Sequence, residues 1–487
     1  MPYSFAASDQ SRSRNDSYRA ARWFVLVLGA AAALRLYGLD SYPFEEDEVY
    51  TLVEATHLFD SPLRPGIDAR PLYYLLQHLL FEWVPPTHVG MRLMPFFFGI
   101  LGIYATWRLG YELFGRLGAF AAALWVALAP WHLHVSGMAR YGSLLYLLSA
   151  AFLLYVLRAY ETDRRRDYLA ALAVLLAGTA THPTFVFPVI GVVLALTLVG
   201  PLGQVGWTWP SRRAWAALWG PFLAVTGTAY IVLAAQGRGS SLRNFGGRGL
   251  EATIRLMPAI VEWLTPVMFT AGALGALGLF LLGRTPRQRR WAAVAGLGVA
   301  STMVTLFAAS FVTNVYADYA VVMLPMVFVS AGGLIHLIGE RVKQGKDVIA
   351  GAVMAVIVAG IAPSLVSHLS DGMRFDPRPA FRVIETTAPV LPVLTTPIAL
   401  QRHYAPQLLG RELKMTAAHL DETLAGHGQF WAVVWVRRDG IVHDASGEVA
   451  AWLDRHCYVI HSHERPRFDY RMYRVDLYLC GTPPDGR

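Results

Sequence analysis

The chain predicts a mainly α-helical, multi-pass membrane protein that carries a small α/β domain at its C-terminal end. Three observations lead there. The 487 residues are 55% hydrophobic and only 16% charged, with a mean hydropathy of +0.39, which excludes an ordinary soluble globule. Apolar windows of bilayer length recur from Trp23 onward. After Ser370 the text turns polar and proline-punctuated, with short β-like runs.

The spans follow from hydropathy. Windows at 23–39, 91–111, 117–136, 142–160, 167–181, 183–200, 214–234, 258–282, 291–312, 319–338 and 348–367 predict about eleven transmembrane helices. Only Thr181-His182-Pro183 separates the fifth from the sixth. Arg12, Arg14, Arg19 and Arg22 precede the first span and place the N-terminus in the cytoplasm. Counted alternately, the inner loops hold Arg116, Arg164 to Arg166, Arg212-Arg213, Arg284 to Arg290 and Arg341 to Lys346. Every inner loop is therefore basic, and an odd number of spans keeps that pattern. The net charge of +8 is mostly topogenic, and no basic patch interleaved with aromatics points to nucleic acid. Trp23 to Leu39 reads as a retained anchor rather than a cleaved signal.

This reading divides the chain into a cytoplasmic tail (1–22), a transmembrane domain (23–368) with a long first outer loop (40–90), and an extracytoplasmic α/β domain (369–487). In the last of these, Val390 to Leu394, Phe430 to Val436, Tyr458 to His461 and Tyr473 to Leu479 read as strands. Pro392 confines the first to a sheet edge. Ala417 to Ala425 and Gly447 to His456 read as helices. The two cysteines, Cys457 and Cys480, flank neighbouring strands; a disulfide and two free thiols both fit the spacing.

The first outer loop holds four consecutive carboxylates, Glu45-Glu46-Asp47-Glu48. Ionised groups at a bilayer face tend to mark chemistry or an ion pathway, although a solvated acidic loop is the plain alternative. Asp47 to Phe59, with Val49, Leu52, Val53 and Thr56 at helical spacing, predicts one interfacial helix, and the stretch from Ala69 to His78 predicts another. Asp47 then stands near a helix N-terminus, where the dipole favours a carboxylate. Capping accounts for one acidic residue and leaves the other three.

The ordered series Leu36-Tyr37-Gly38-Leu39, Asp47-Glu48-Val49-Tyr50-Thr51, Pro71-Leu72-Tyr73-Tyr74-Leu75-Leu76, Arg92-Leu93-Met94-Pro95, Trp131-His132-Leu133-His134-Val135-Ser136 and Ala139-Arg140 resembles the bacterial relatives of the protein O-mannosyltransferases. These form glycosyltransferase family 39 of the GT-C superfamily, which includes the aminoarabinose transferases acting on lipid A. The resemblance covers roughly residues 30–160, with echoes at Thr181 to Thr184 and Tyr319 to Pro325. The chain departs from the family pattern at Arg70, Met138 and Asp318.

The resemblance implies a GT-C-type bundle and transfer of a sugar from a polyprenyl-phosphate donor to a lipid, glycan or protein acceptor. The setting would be the outer face of the bacterial cytoplasmic membrane. The phosphate leaving group is stable as an anion, so the acceptor is the group needing activation, by a carboxylate general base. By resemblance that base is Asp47, with Glu48 as helper, while Glu45 and Glu46 face solvent or are structural. Arg140 is the first candidate for the donor phosphate, because a guanidinium grips phosphate oxygens in a fork; Arg35 and Arg70 are further candidates, and snorkelling is the plain account of such arginines. Tyr73, Tyr74, His132, Tyr141, His182 and Tyr319 are the expected substrate contacts. No HExxH or tight ligand spacing marks a metal, no cofactor is implied, and divalent-cation dependence through the acidic run stays open. The glycine- and arginine-rich stretch from Gly237 to Gly249 reads as a lid or a plain connector.

Two other classes compete. A transporter or flippase of a lipid-linked sugar would place charges near the midplane, whereas here the span centres are nearly free of them. A noncatalytic envelope-assembly scaffold would use the C-terminal domain as its binding module.

Overall fold

The computed structural model describes residues 22–60, 70–199, 219–220, 250–311, 315–342, 345–371, 374–396, 398–437, 440–442, 444, 446–464 and 474–481. The expected lid at 237–249, and nearly all of the span expected at 214–234, lie outside these residues. Two compact units emerge. The first comprises residues up to 37, 58–84 and 92–365, and the second comprises 38–57, 85–91 and 366 onward.

The first unit is helical. It begins with α1 (22–36), while α2 (Glu46–Thr56) belongs to the second unit. α3 (Pro71–Phe81), α4 (His88–Leu128), α5 (Pro130–Ser136), α6 (Gly142–Thr162) and α7 (Arg165–Thr181) follow. A 3-10 turn (Pro183–Phe185) leads into α8 (Val186–Leu194), then α9 (Leu250–Leu264), α10 (Pro266–Leu282) and α11 (Pro286–Ser310). A second 3-10 segment (Ala317–Met323) runs into α12 (Leu324–Arg341), followed by α13 (Lys346–Asp371).

Among the described residues five helices are long and apolar enough to cross a bilayer, or six if α9 and α10, bent by 90°, count as one span. The described residues thus account for part of the eleven expected spans. Two of them, at 91–111 and 117–136, fall largely on the two helical halves of α4, which part at Gly115 (φ 69°), a backbone conformation that favours glycine. The windows at 167–181 and 183–200 fall on helices too short to pass by length.

Helix ends are set locally. Thr285 caps α11 by accepting from the Gln288 N–H (3.2 Å), and Gln288 accepts in return from the Thr285 N–H (3.2 Å), a capping box. Small residues let backbones meet: a Cβ at Gly275 of α10 would overlap the Ser330 carbonyl of α12.

The second unit is α/β. Its elements are α14 (Arg378–Thr387), β1 (Val393–Thr395), α15 (Ile398–Tyr404), β2 (Gly410–Glu412), α16 (Ala417–His427), β3 (Gln429–Arg437), β4 (Gly440–Ile441), α17 (Glu448–His456), β5 (Cys457–Glu464) and β6 (Arg474–Gly481), together with α2. The sheet order is β2-β1-β3-β6-β5, with β4 paired to β3. β1 is parallel to both of its neighbours, while β6 is antiparallel to β3 and β5.

β1 is thus an internal strand, against the edge position expected from Pro392. The proline stops one residue short of the ladder, so its missing N–H costs nothing, and its carbonyl accepts from Trp431 N (2.8 Å). Both faces of β3 are covered. Trp431 and Val433 pack with Phe381 and Ile384 of α14 on one side, and Phe430, Ala432 and Val434 pack with Leu420 and Trp452 on the other. Burial on two sides explains the unbroken apolar run of β3. Cys457 and Cys480 stand opposite each other on β5 and β6 and form a disulfide, which settles the choice left open by spacing.

Candidate functional site

The carboxylate run belongs to the second unit, and the fold sorts its four members. A turn led by Gly38 (φ 73°), where a Cβ would overlap the Tyr42 ring, feeds the start of α2. Glu45 is the N-cap residue, and Glu48, at the third helical position, accepts from its N–H (3.0 Å). Glu48 is fully buried. Its Oε2 also accepts from Nη1 of Arg374 (2.8 Å), itself only 2% exposed.

Glu46 is half-buried and accepts from the Tyr50 hydroxyl (3.0 Å). Burial pushes its carboxyl above the usual carboxylate range, the nearby charges of Asp47 and Glu412 push the same way, and the Tyr50 bond opposes them. Tyr50 is in turn pushed up to about 12 by burial and by Glu46. Asp47 alone of the four is exposed. Glu45 and Glu46, read from sequence as solvent-facing or structural, are the cap and a partly buried hydrogen-bond acceptor.

The same unit holds the turn from several sides. Arg374 Nη1 also donates to the Pro43 carbonyl (2.9 Å), and Arg378 Nη2 to that of Ser41 (3.2 Å). The Tyr42 hydroxyl donates to the Leu369 carbonyl (3.0 Å). The Phe44 N–H donates to the Tyr404 hydroxyl (2.6 Å), which also bonds His88 Nε2 (3.1 Å), and the Phe44 ring stacks on His88 (4.0 Å). Sequence reasoning missed Arg374, Tyr404 and His88. The dense Arg374-Phe375-Asp376-Pro377-Arg378 stretch was the available signal, but a partner 326 residues away leaves no local trace.

In the first unit, seven expected residues come together. Pro71 at the first position of α3 starts a helix that buries Tyr73 and Tyr74. Arg140 lies in the turn between α5 and α6, 8% exposed, with Nη1 3.5 Å from the Tyr74 hydroxyl. Two guanidiniums lie over the Tyr141 ring, Arg70 at 4.8 Å and Arg140 at 5.1 Å. Tyr141 stacks on His182 (4.5 Å), which meets Tyr319 (5.1 Å), and Tyr73 edges onto Tyr141 (6.4 Å).

His182 Nδ1 accepts from the Thr184 N–H (3.3 Å), so the remaining proton is on Nε2. Burial, then the charges of Arg70 and Arg140, holds His182 well below the ordinary histidine range, so it is neutral at pH 7. Among the described residues no carboxylate pairs with Arg70, and two guanidiniums gathered on one ring suit an oxyanion.

Arg35 and His132 are placed in a different network. Arg35 is 3% exposed and donates to the carbonyls of Ala31 (3.0 Å), Ala127 (3.2 Å) and Val126 (3.3 Å), and to His132 Nδ1 (2.7 Å). The cause is local. Pro130 lacks the N–H that Val126 O would take in a continuous helix, and Arg35 supplies it. His132 packs edge-on to Tyr146 (4.3 Å). Among the described residues no group of three or more His, Cys, Asp or Glu side chains is placed to hold a metal.

The long apolar helices define a multi-pass membrane protein. Residues 64–230 match the family model described as dolichyl-phosphate-mannose-protein mannosyltransferase. Among solved structures, ArnT from Cupriavidus metallidurans shares the fold. Its apo form aligns at a TM-score of 0.53 with 14% identity, covering 94% of this chain and 98% of that one. Its form bound to undecaprenyl phosphate aligns at 0.54 with the same identity and coverage. The apo oligosaccharyltransferase of Archaeoglobus fulgidus aligns at 0.50 with 12% identity, over 85% of this chain and 69% of that one. No curated protein matches the chain in sequence.

Proposed function

We propose that the protein is an integral-membrane glycosyltransferase that moves a sugar from a polyprenyl-phosphate carrier to an acceptor hydroxyl at the extracytoplasmic face of a bacterial cytoplasmic membrane. The observation that carries this reading is the pair of guanidiniums, Arg70 and Arg140, about Tyr141 beside a neutral His182. The undecaprenyl phosphate bound to the ArnT structure of the same fold supports a lipid-linked donor.

In the proposed step the acceptor oxygen forms a bond to the anomeric carbon of the sugar. The bond from that carbon to the phosphate oxygen breaks, and its electron pair leaves with polyprenyl phosphate. The acceptor proton passes to the carboxylate of Asp47, the exposed member of the acidic run. Arg140 and Arg70 hold the phosphate, whose charge grows as the bond breaks, and Tyr73, Tyr74, Tyr141, His182 and Tyr319 shape the pocket for the donor head group. Glu48 acts through position rather than by touching the reacting atoms. The 369–487 domain lies outside the membrane in this reading, which its disulfide supports, and the 1–22 tail lies inside.

The test is Asp47→Asn. Membranes holding either form are given polyprenyl-phosphate mannose, glucose or aminoarabinose labelled in the sugar, and label reaching the envelope is counted. Loss of a general base lowers turnover by about 10²–10⁴-fold. Transfer at near-normal rate in D47N rules Asp47 out as the base.

A further inference from the structure

We infer that Arg374 and Tyr404 are positioning residues for the reaction: the C-terminal α/β fold sets the aim of Asp47 by clamping the residues on either side of it. The inference rests on Asp47 as the general base and asks what holds that carboxylate in place.

Arg374 and Glu48 are an ion pair with 1% and 0% of their side chains exposed. Burying two charges is costly, and such pairs are best accounted for by the one arrangement they enforce. Here the arrangement is specific. Through Nη1 the same guanidinium binds Glu48 Oε2, one residue after Asp47, and the Pro43 carbonyl, four residues before it. Glu48 Oε2 also takes the Glu45 N–H, so cap and first turn close on each other around Asp47.

Tyr404 fixes the next residue in the turn. Its hydroxyl accepts from the Phe44 N–H at 2.6 Å while bonded to His88, whose ring stacks on Phe44. Arg378 on Ser41 and Tyr42 on Leu369 complete a set of ties reaching residues 41 to 48. A helix of 11 residues is marginal by itself and frays at its first turn, and these ties suppress that where the base sits. A displacement of about 1 Å at a reacting group costs about 10²-fold, so a clamp that holds the turn is felt in turnover.

The test compares Arg374→Met, Arg374→Lys and Tyr404→Phe with wild type and Asp47→Asn in the full-length protein. Turnover of the labelled polyprenyl-phosphate mannose, glucose and aminoarabinose is measured beside hydrogen exchange of residues 38–57. R374M should lower kcat by about 10–100-fold and leave donor KM within threefold, because donor contacts are assigned to other residues. R374K should recover part of the loss, and Y404F should show a smaller fall of the same kind. Exchange across 38–57 should quicken in R374M and Y404F while that of 130–145 stays as in wild type. Wild-type kcat in R374M, a loss confined to KM, or unchanged exchange over 38–57 overturns the inference. If R374M does not fold, Y404F decides by the same measures. An active D47N sinks the base assignment, whereas an inactive D47N beside fully active R374M and Y404F sinks only the clamp.

Discussion

Arg140 and Arg35 are both buried arginines of the first unit, and the structure predicts opposite consequences for their loss. In Arg140→Met the donor phosphate loses a charge-assisted contact, worth about 1.5–3 kcal/mol. At about 1.4 kcal/mol per decade, polyprenyl phosphate should bind about 10–150-fold more weakly. The loss should sit toward the lower end of that range, because Arg70 still flanks Tyr141 at 4.8 Å and is freed from a like charge. Arg140→Lys keeps the charge and loses the fork, so an intermediate loss is expected. Undecaprenyl phosphate binding to protein in nanodiscs, followed by native mass spectrometry at two salt concentrations, gives the numbers. Wild-type binding should weaken with salt more than that of R140M. Binding within threefold of wild type in a folded R140M, with unchanged salt response, refutes Arg140 as the phosphate ligand.

Arg35→Met should instead cost stability. It leaves the Val126 and Ala127 carbonyls without their donor, about 2–4 kcal/mol in all, and should lower the thermal midpoint while donor KM of the folded fraction holds. A pH dependence belongs to His182. Its folded pKa is depressed, so the unfolded chain takes up a proton that the fold refuses, and the stability it contributes is full above about pH 6.5 and lost as pH falls below that. Wild type should therefore lose thermal stability relative to His182→Gln between pH 7.5 and 5. A constant gap over that range contradicts the assignment of a neutral histidine beside Arg70 and Arg140.

Much of the fold was legible because its signals are local. Hydropathy marked the helical membrane unit, and continuous apolar text marked β3. The break at Gly115 was legible as the gap between two windows, whereas the single window at 258–282 does not reveal that Thr265 turns α9 into α10 by 90°. β1 escaped for a related reason. Pro392 reads as an edge signal, yet it stands just outside the ladder, next to Val393.

The candidate site divides along the same line. By itself the sequence determined the chemical inventory: four carboxylates in a row, and arginines, tyrosines and histidines in an order that resembles one family. Residue type and spacing suffice for that. Only the tertiary structure decided where each member sits, because burial and partnership depend on residues far apart in the chain. It buried Glu48 on Arg374 and left Asp47 exposed. It gathered Arg70, Arg140, Tyr141 and His182 about one ring, and it committed Arg35 to carbonyls that Pro130 had left without a donor.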